Sequence, residues 1–210
     1  MIVATGIHHK YGKETALRDI DIHIAQGSFV ALTGESGSGK STLLSILSTL
    51  LRPTRGEVRI FGKNSKEVGN IDHFRKETIG FVFQMHYLIR YLRIRQNITL
   101  AAQKKDQEYI DTLIRYLGIE DIQHKFPHEV SGGQRQRAAI ARAMANRPKV
   151  VFADEPTGSL DSKNSQKVFA LLRDIADKGT TVVVATHDTA IMDFADCIYR
   201  VEDGTVSRIG

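Results

Sequence analysis

A short, mostly apolar run, Phe29-Val30-Ala31-Leu32-Thr33, feeds directly into a glycine-rich turn, and a helical stretch from Lys40 to Leu51 follows. The apolar run is of the kind that a sheet buries on both faces. The turn between strand and helix reads Gly34-Glu35-Ser36-Gly37-Ser38-Gly39-Lys40-Ser41-Thr42. Its glycines permit positive φ and bring backbone N–H groups close to an anion with no Cβ in the way. The amino end of the following helix adds partial positive charge. A strand, an anion-cradling turn and a helix in this order commit the chain to an α/β layer with a site at the strand's carboxyl end.

The turn matches G-x-x-x-x-G-K-[ST], in which Lys reaches the β- and γ-phosphates and the next hydroxyl ligates Mg²⁺. Residues Gly34 to Thr42 are therefore the expected nucleotide cradle, with Lys40 on the terminal phosphates and Ser41 on the metal. A glycine-rich turn with no ligand is the competing reading, and the flanking strand and helix count against it. A second apolar strand, Val150 to Ala153, delivers two consecutive carboxylates, Asp154 and Glu155. Asp154 is expected to hold Mg²⁺ through water, because that ion keeps much of its hydration shell. Glu155 is the expected residue to polarise an attacking water. Pro156 leaves a second reading open, in which these acids merely start a helix.

The rest of the chain alternates in the same way. VATGIHHKY, LRDIDIHIA and EVRIFG read as amino-terminal strands, and Pro53 and Gly56 close the first helix. Ile79–Phe83, Lys149–Ala153, Thr180–Thr186 and Cys197–Val201 are further strand candidates, and residues 162–177 a helix. Between about Met85 and Arg147 the texture is helical. Ile110, Leu113, Ile114 and Leu117 fall at helical spacing before Gly118, and Arg135–Asn146 is rich in helix formers. The predicted architecture is a mainly parallel sheet in α/β layers, with residues 85–147 as a helical insertion and residues 1–84 and 148–210 forming the rest. No internal repeat appears, which excludes two tandem copies of this unit.

With 41% hydrophobic and 25% charged residues, the chain has an ordinary globular composition. The net charge of +5 is spread along the chain without a Lys/Arg block or an aromatic ladder, so nucleic acid is not the expected partner. The single cysteine, Cys197, excludes an intramolecular disulfide framework and reads as a packed strand residue. Met1-Ile2-Val3 runs straight into a strand pattern, which predicts no secretory leader. No apolar run approaches the length of a membrane-spanning helix. A membrane role is expected only from the cytoplasmic face, through a partner.

Many phosphate-loop proteins share these features, and the class comes from Val130-Ser131-Gly132-Gly133-Gln134-Arg135-Gln136-Arg137. This segment resembles the signature motif of the ABC-transporter ATPases, with Ser131 capping a helix whose amino end Gly132 and Gly133 open to an anion. Other motifs of that family fall in order. Tyr11 stands where an aromatic stacks on adenine, and Gln84 resembles the loop glutamine that touches metal and attacking water. Ser159-Leu160-Asp161 resembles the loop that crosses the dimer interface. His187 resembles the switch histidine on the γ-phosphate. The resemblance implies a P-loop NTPase fold: a RecA-like core with an antiparallel β-subdomain and an inserted helical subdomain. It also implies ATP and Mg²⁺ as cofactors and ATP hydrolysis as the activity. Its expected partners are a second ATP-binding subunit, each cradle facing the other's Ser131–Gln134, and an integral membrane permease.

Within the family, IGFVFQ and ADEPTGSLD look like the lipoprotein-release and macrolide- or peptide-export group. The segment after Gln84 departs from that group: it lacks the usual proline and acidic residue and carries Arg90, Arg93 and Arg95. The helical insertion is shorter than usual, and no regulatory tail is expected after Gly210. The three arginines are expected to meet an acidic permease surface, against the plainer reading of a solvated basic loop. A regulatory ABC ATPase that signals through a membrane partner without transport is the main alternative. A soluble ABC protein of translation or DNA repair lacks support, because no second cassette, zinc module or long coiled coil is present. A kinase or GTPase leaves Ser131–Gln134 and His187 unexplained.

Overall fold

The computed structural model describes residues 1–103 and 106–210. Lys104 and Lys105, inside the expected insertion, lie outside the described residues. Two sheets organise the chain. A four-stranded antiparallel sheet has the order β2-β1-β4-β5, built from β1 (Ile2–Tyr11), β2 (Glu14–Ile24), β4 (Arg55–Ile60) and β5 (Lys63–Asn64). The larger sheet comprises β3 (Phe29–Thr33), β6 (Ile79–Val82), β7 (Val150–Asp154), β8 (Thr181–Ala185), β9 (Cys197–Glu202) and β10 (Thr205–Arg208). Its order is β10-β9-β3-β8-β7-β6, with every neighbouring pair parallel except β10 on β9. Helices α1 (Lys40–Leu47), α2 (Ile71–Thr78), α3 (Ile94–Ala101), α4 (Gln107–Tyr116), α5 (Gly132–Met144) and α6 (Ser162–Asp177) complete the layers.

The period-2 alternation of the central strands sorts neighbouring residues onto opposite faces. Phe29, Ala31, Val151, Ala153, Val182 and Val184 join one core with residues of α3, α4, α5 and α6. Val30, Leu32, Val150, Phe152, Val183 and Ala185 join the other, with Leu43, Leu44, Ile46 and Leu47 of α1 and the inner face of the antiparallel sheet. This is why β3, β7 and β8 read as unbroken apolar runs. Phe152 is fully buried among these side chains. Phe152→Ala is expected to cost about 3–5 kcal/mol by the cavity it leaves, seen as a lower urea midpoint at unchanged slope.

The fold departs from expectation in several places, each for a tertiary reason. Helix α1 ends at Leu47 rather than Leu51, because Thr49 takes a left-handed φ of 62°. The Thr49 carbonyl accepts a 2.8 Å hydrogen bond from Arg75 on α2, a contact no local pattern announces. Helix α2 was not expected: IDHFRKET is largely charged, and only Phe74 and Thr78 are buried. Strand β10 was also not expected. The helical texture begins at Ile94 and not at Met85, since His86 and Tyr87 are both left-handed, at φ 59° and 47°. The buried Asn97 side chain then holds this loop, accepting from Ile89 N–H and donating to the carbonyls of Ile89, Leu92 and Arg93.

Candidate nucleotide site

The site begins where β3 ends. Gly34, Gly37 and Gly39 have φ of 145°, 82° and 106°, a conformation that L side chains rarely adopt. A Cβ on Gly34 would stand 2.1 Å from the Val201 carbonyl oxygen, and one on Gly39 would stand 2.9 Å from that of Ala16. At Gly34 and Gly39 no other residue type fits. Gly39 also leaves α1 without a side-chain cap, so the first amides of the helix face the cleft unclaimed. Lys40 is buried and curls back over the loop, donating to the carbonyls of Gly34 at 2.8 Å and Glu35 at 2.7 Å.

From the adjacent strand β7, Asp154 accepts a 2.9 Å hydrogen bond from the Ser41 hydroxyl. Burial raises the Asp154 carboxyl above its ordinary range, the Ser41 bond opposes this, the Glu155 charge adds to it, and Lys40 lowers it again. Two hard oxygen donors side by side near the Lys40 ammonium would suit a Mg²⁺ ion, which takes oxygen ligands and keeps several waters. Glu155 follows with a left-handed φ of 44°, its N–H bonded to the Ala185 carbonyl at 2.8 Å. This kink at the strand end turns the carboxylate toward the cleft. Its Oε1 lies 2.9 Å from His187 Nδ1, and its Oε2 accepts a 3.0 Å bond from Thr186.

Most of these groups meet at one open cleft of about 940 Å³, with Asp154 behind its wall and joined to it through Ser41. Tyr11, Glu35, Ser36, Gly37, Gly39–Thr42, Gln84, Glu155 and His187 all contribute to its wall. Tyr11 sits at the far rim, half-exposed, its ring edge-on to His9 with centroids 4.7 Å apart. Gly34 and Ser38 face the opposite side of the loop, where the Ser38 hydroxyl is buried without a partner among the described residues. The strand and loop assignments thus bring together nearly every cradle residue named from the sequence.

Ser131, Gly132, Gly133, Gln134 and Asp161 do not join that wall. Ser131 caps α5 with a reciprocal pair: its hydroxyl accepts from Gln134 N–H at 3.3 Å, and Gln134 Oε1 accepts from Ser131 N–H at 3.0 Å. The turn lies against the start of α6 and the segment before it, where a Cβ on Gly132 would sit 3.3 Å from Leu160 and one on Gly133 would sit 3.8 Å from Asn164. Asp161 caps α6 by accepting from Asn164 N–H at 2.8 Å, and this bond holds its carboxyl below the ordinary range.

Some residues of the site escaped the sequence reading. Glu14, Arg18, Asp203 and Gly204 also line the cleft. The Asp203-Gly204 turn joins β9 to β10 and binds the cradle directly: Gly204 N–H donates to the Ser38 carbonyl at 3.1 Å, and the Gly204 carbonyl accepts from Arg18 N–H at 2.7 Å. The D-G dipeptide between two short β-branched stretches was the available signal. Arg142 of α5 was missed as well; its guanidinium donates to the carbonyls of both left-handed residues, His86 and Tyr87. The arginines of the same loop need correction. Arg95 is committed inward to Asp111, Gln123 and Gln107, and Arg93 to the His124 carbonyl and the Phe126 ring. Arg90 alone of the three is exposed without a hydrogen bond or ion pair among the described residues.

Comparison with known proteins agrees with this geometry. Residues 17–158 match the family model described as ABC transporter. The bacitracin export ATP-binding protein BceA of Halalkalibacterium halodurans is 36% identical over 219 residues, covering 98% of this chain and 87% of that protein. The macrolide export ATP-binding/permease protein MacB of Salmonella typhimurium is 41% identical over 201 residues, covering 90% of this chain and 31% of that larger protein. Among solved structures, the dimeric post-hydrolysis state of an ATP-binding cassette bound to ADP and Pi superposes with a TM-score of 0.89 at 36% identity, over 99% and 97% of the two chains. The chain belongs to the ABC transporter family, and within it is an ATP-binding protein and ATPase with a P-loop NTPase fold.

Proposed function

We propose that two copies of this chain close face to face on two MgATP molecules and drive an integral membrane permease from the cytoplasmic face of the membrane. The observation that carries this reading is the separation, within one chain, of the cradle from the serine turn at Ser131. That turn presents uncommitted amides and a hydroxyl whose proton is free, since its Gln134 bond uses only a lone pair. Such a helix start is an anion site with no anion-binding partner in its own chain. A second copy supplies one.

In this reading the elements divide into a core, residues 1–84 and 148–210, and a helical lobe, 85–147. Lys40 exchanges its loop carbonyls for the β- and γ-phosphates, and Tyr11 stacks on adenine. Ser41, Asp154 and Gln84 would hold Mg²⁺, which neutralises phosphate charge when bound. Glu155 accepts the proton of the attacking water, His187 swings from Glu155 to the γ-phosphate, and Asp161 lies at the dimer seam. Exposed Met85, Tyr87 and Tyr91, with Arg90 beside them, support a permease contact on the loop after Gln84. Among the described residues no helix is long and apolar enough to cross a membrane, so that role falls to a partner. The likeness to export ATPases supports export or extraction of a peptide, lipoprotein or drug as the task.

The test is Ser131→Arg, which fills the turn of one copy where the phosphate of the other should sit. Single chains should still bind MgATP, while nucleotide-driven dimers disappear in sedimentation velocity and hydrolysis falls about a hundredfold, the usual cost of losing one oxyanion-type donor set. Undiminished dimers would overturn the face-to-face arrangement.

A further inference from the structure

Thr186 lies just after β8, fully buried, between the proposed base and the switch histidine. Its backbone N–H is fixed to the Leu32 carbonyl at 3.0 Å. Its hydroxyl does two things at once: it accepts from Asp188 N–H at 3.1 Å and donates to Glu155 Oε2 at 3.0 Å. Asp188 in turn accepts from Ala190 N–H at 3.1 Å and from the Thr157 hydroxyl at 3.4 Å. The backbone on both sides of His187 is therefore tied down, while the His187 ring itself is 69% exposed.

A threonine hydroxyl has one proton and two lone pairs. With Asp188 N–H on a lone pair, the geometry directs that proton onto Oε2. The two oxygens of Glu155 are thus held differently. Oε2 has a buried, immobile donor, whereas among the described residues Oε1 has only an exposed ring that is free to rotate away. We propose that Thr186 is a positioning residue for hydrolysis, fixing the Glu155 carboxylate by Oε2 so that Oε1 stays aimed at the attacking water after His187 has left it. The inference rests on Glu155 being the proton acceptor. In that step the water oxygen bonds to the γ-phosphorus as its O–H bond breaks. The proton passes to Oε1, and the bond from the γ-phosphorus to the bridging oxygen breaks, its electron pair leaving with ADP. Thr186 exchanges no proton and touches no reacting atom. Its contribution is orientation, and a carboxylate displaced by about 1 Å loses roughly a hundredfold in rate.

Thr186→Val keeps the shape and removes the hydroxyl, and Thr186→Ser keeps the hydroxyl and removes the methyl group. The valine variant is expected to bind MgATP within twofold of the wild type and to lose at least tenfold in kcat, and the serine variant to regain most of that loss. In a Glu155→Gln background, Thr186→Val should lower the residual rate no further, because a group that works only through Glu155 has nothing left to aim. Since burial of an orphaned Asp188 N–H can unfold the valine variant, Thr186→Ala, whose cavity admits a water, is measured beside it. A valine or alanine variant with wild-type kcat, or a serine variant as slow as the valine one, overturns the proposal. So does a further loss in the Glu155→Gln background. If Glu155→Gln itself turns over at the wild-type rate, the proton-acceptor reading fails first, and the two failures are told apart.

Discussion

Glu155→Gln is expected to lower ATP turnover by at least about a hundredfold, the lower bound for removing a positioned general base, while the protein still binds MgATP and accumulates as a dimer. The amide keeps the size and the hydrogen-bonding oxygen of the carboxylate, so Thr186 retains a partner and the left-handed kink at residue 155 is undisturbed. What it loses is the capacity to take a proton. Among the described residues no neighbour takes its place: Asp154 is occupied with Ser41, and in the proposed reading His187 has moved to the γ-phosphate. In the proposed arrangement the phosphates are held by residues other than Glu155, so affinity should stay within a few fold. If hydrolysis is what reopens the dimer, blocking it should leave the closed form populated. The measurements are phosphate release under saturating MgATP and sedimentation velocity of the same sample. A variant that releases phosphate as fast as the wild type removes Glu155 from the chemistry.

Most of the cradle was legible because its determinants are local. Strand β3, the turn and α1 are contiguous, so the spacing of Gly34, Gly39 and Lys40 shows in the sequence, although the clashes that demand glycine come from distant Val201 and Ala16. The pair Asp154–Glu155 was legible for a similar reason, since an apolar strand delivers whatever follows it to the carboxyl edge of a parallel sheet. What was not legible came from pairings across the chain. The stop of α1 depends on Arg75, and the course of the loop after Gln84 depends on Asn97 and Arg142, which lie eight or more residues away. Counting Arg90, Arg93 and Arg95 as one basic patch failed because charge patterning carries no record of a partner such as Asp111. The place of Thr186 was hidden too, as a threonine at a strand end more often fills space than aims a carboxylate.

Lys40→Ala should remove most of the thermal stabilisation that MgATP confers. A ligand at a hundred times its Kd stabilises the native state by about 2.7 kcal/mol, which at roughly 2–4 °C per kcal/mol for a chain of this size is a rise of about 5–11 °C in Tm. If the ammonium is worth a hundredfold in affinity, the same nucleotide concentration leaves about 0.4 kcal/mol, a shift under about 2 °C. The size of this loss follows from the burial of the side chain: Lys40 is only 6% exposed and held by two loop carbonyls, so its charge is desolvated before the nucleotide arrives. The ligand then gains a charge-assisted bond without dehydrating a free lysine. The variant's own Tm can move either way, because the Gly34 and Glu35 carbonyls lose their donor, so the difference with and without MgATP is the quantity that decides. Lys40→Arg separates charge from shape: a guanidinium too broad for the turn should fail like alanine, whereas a general demand for positive charge would let it restore the shift. An unchanged MgATP shift in Lys40→Ala would place the nucleotide elsewhere, and the roles given to Ser41 and Asp154 beneath it would fall with it.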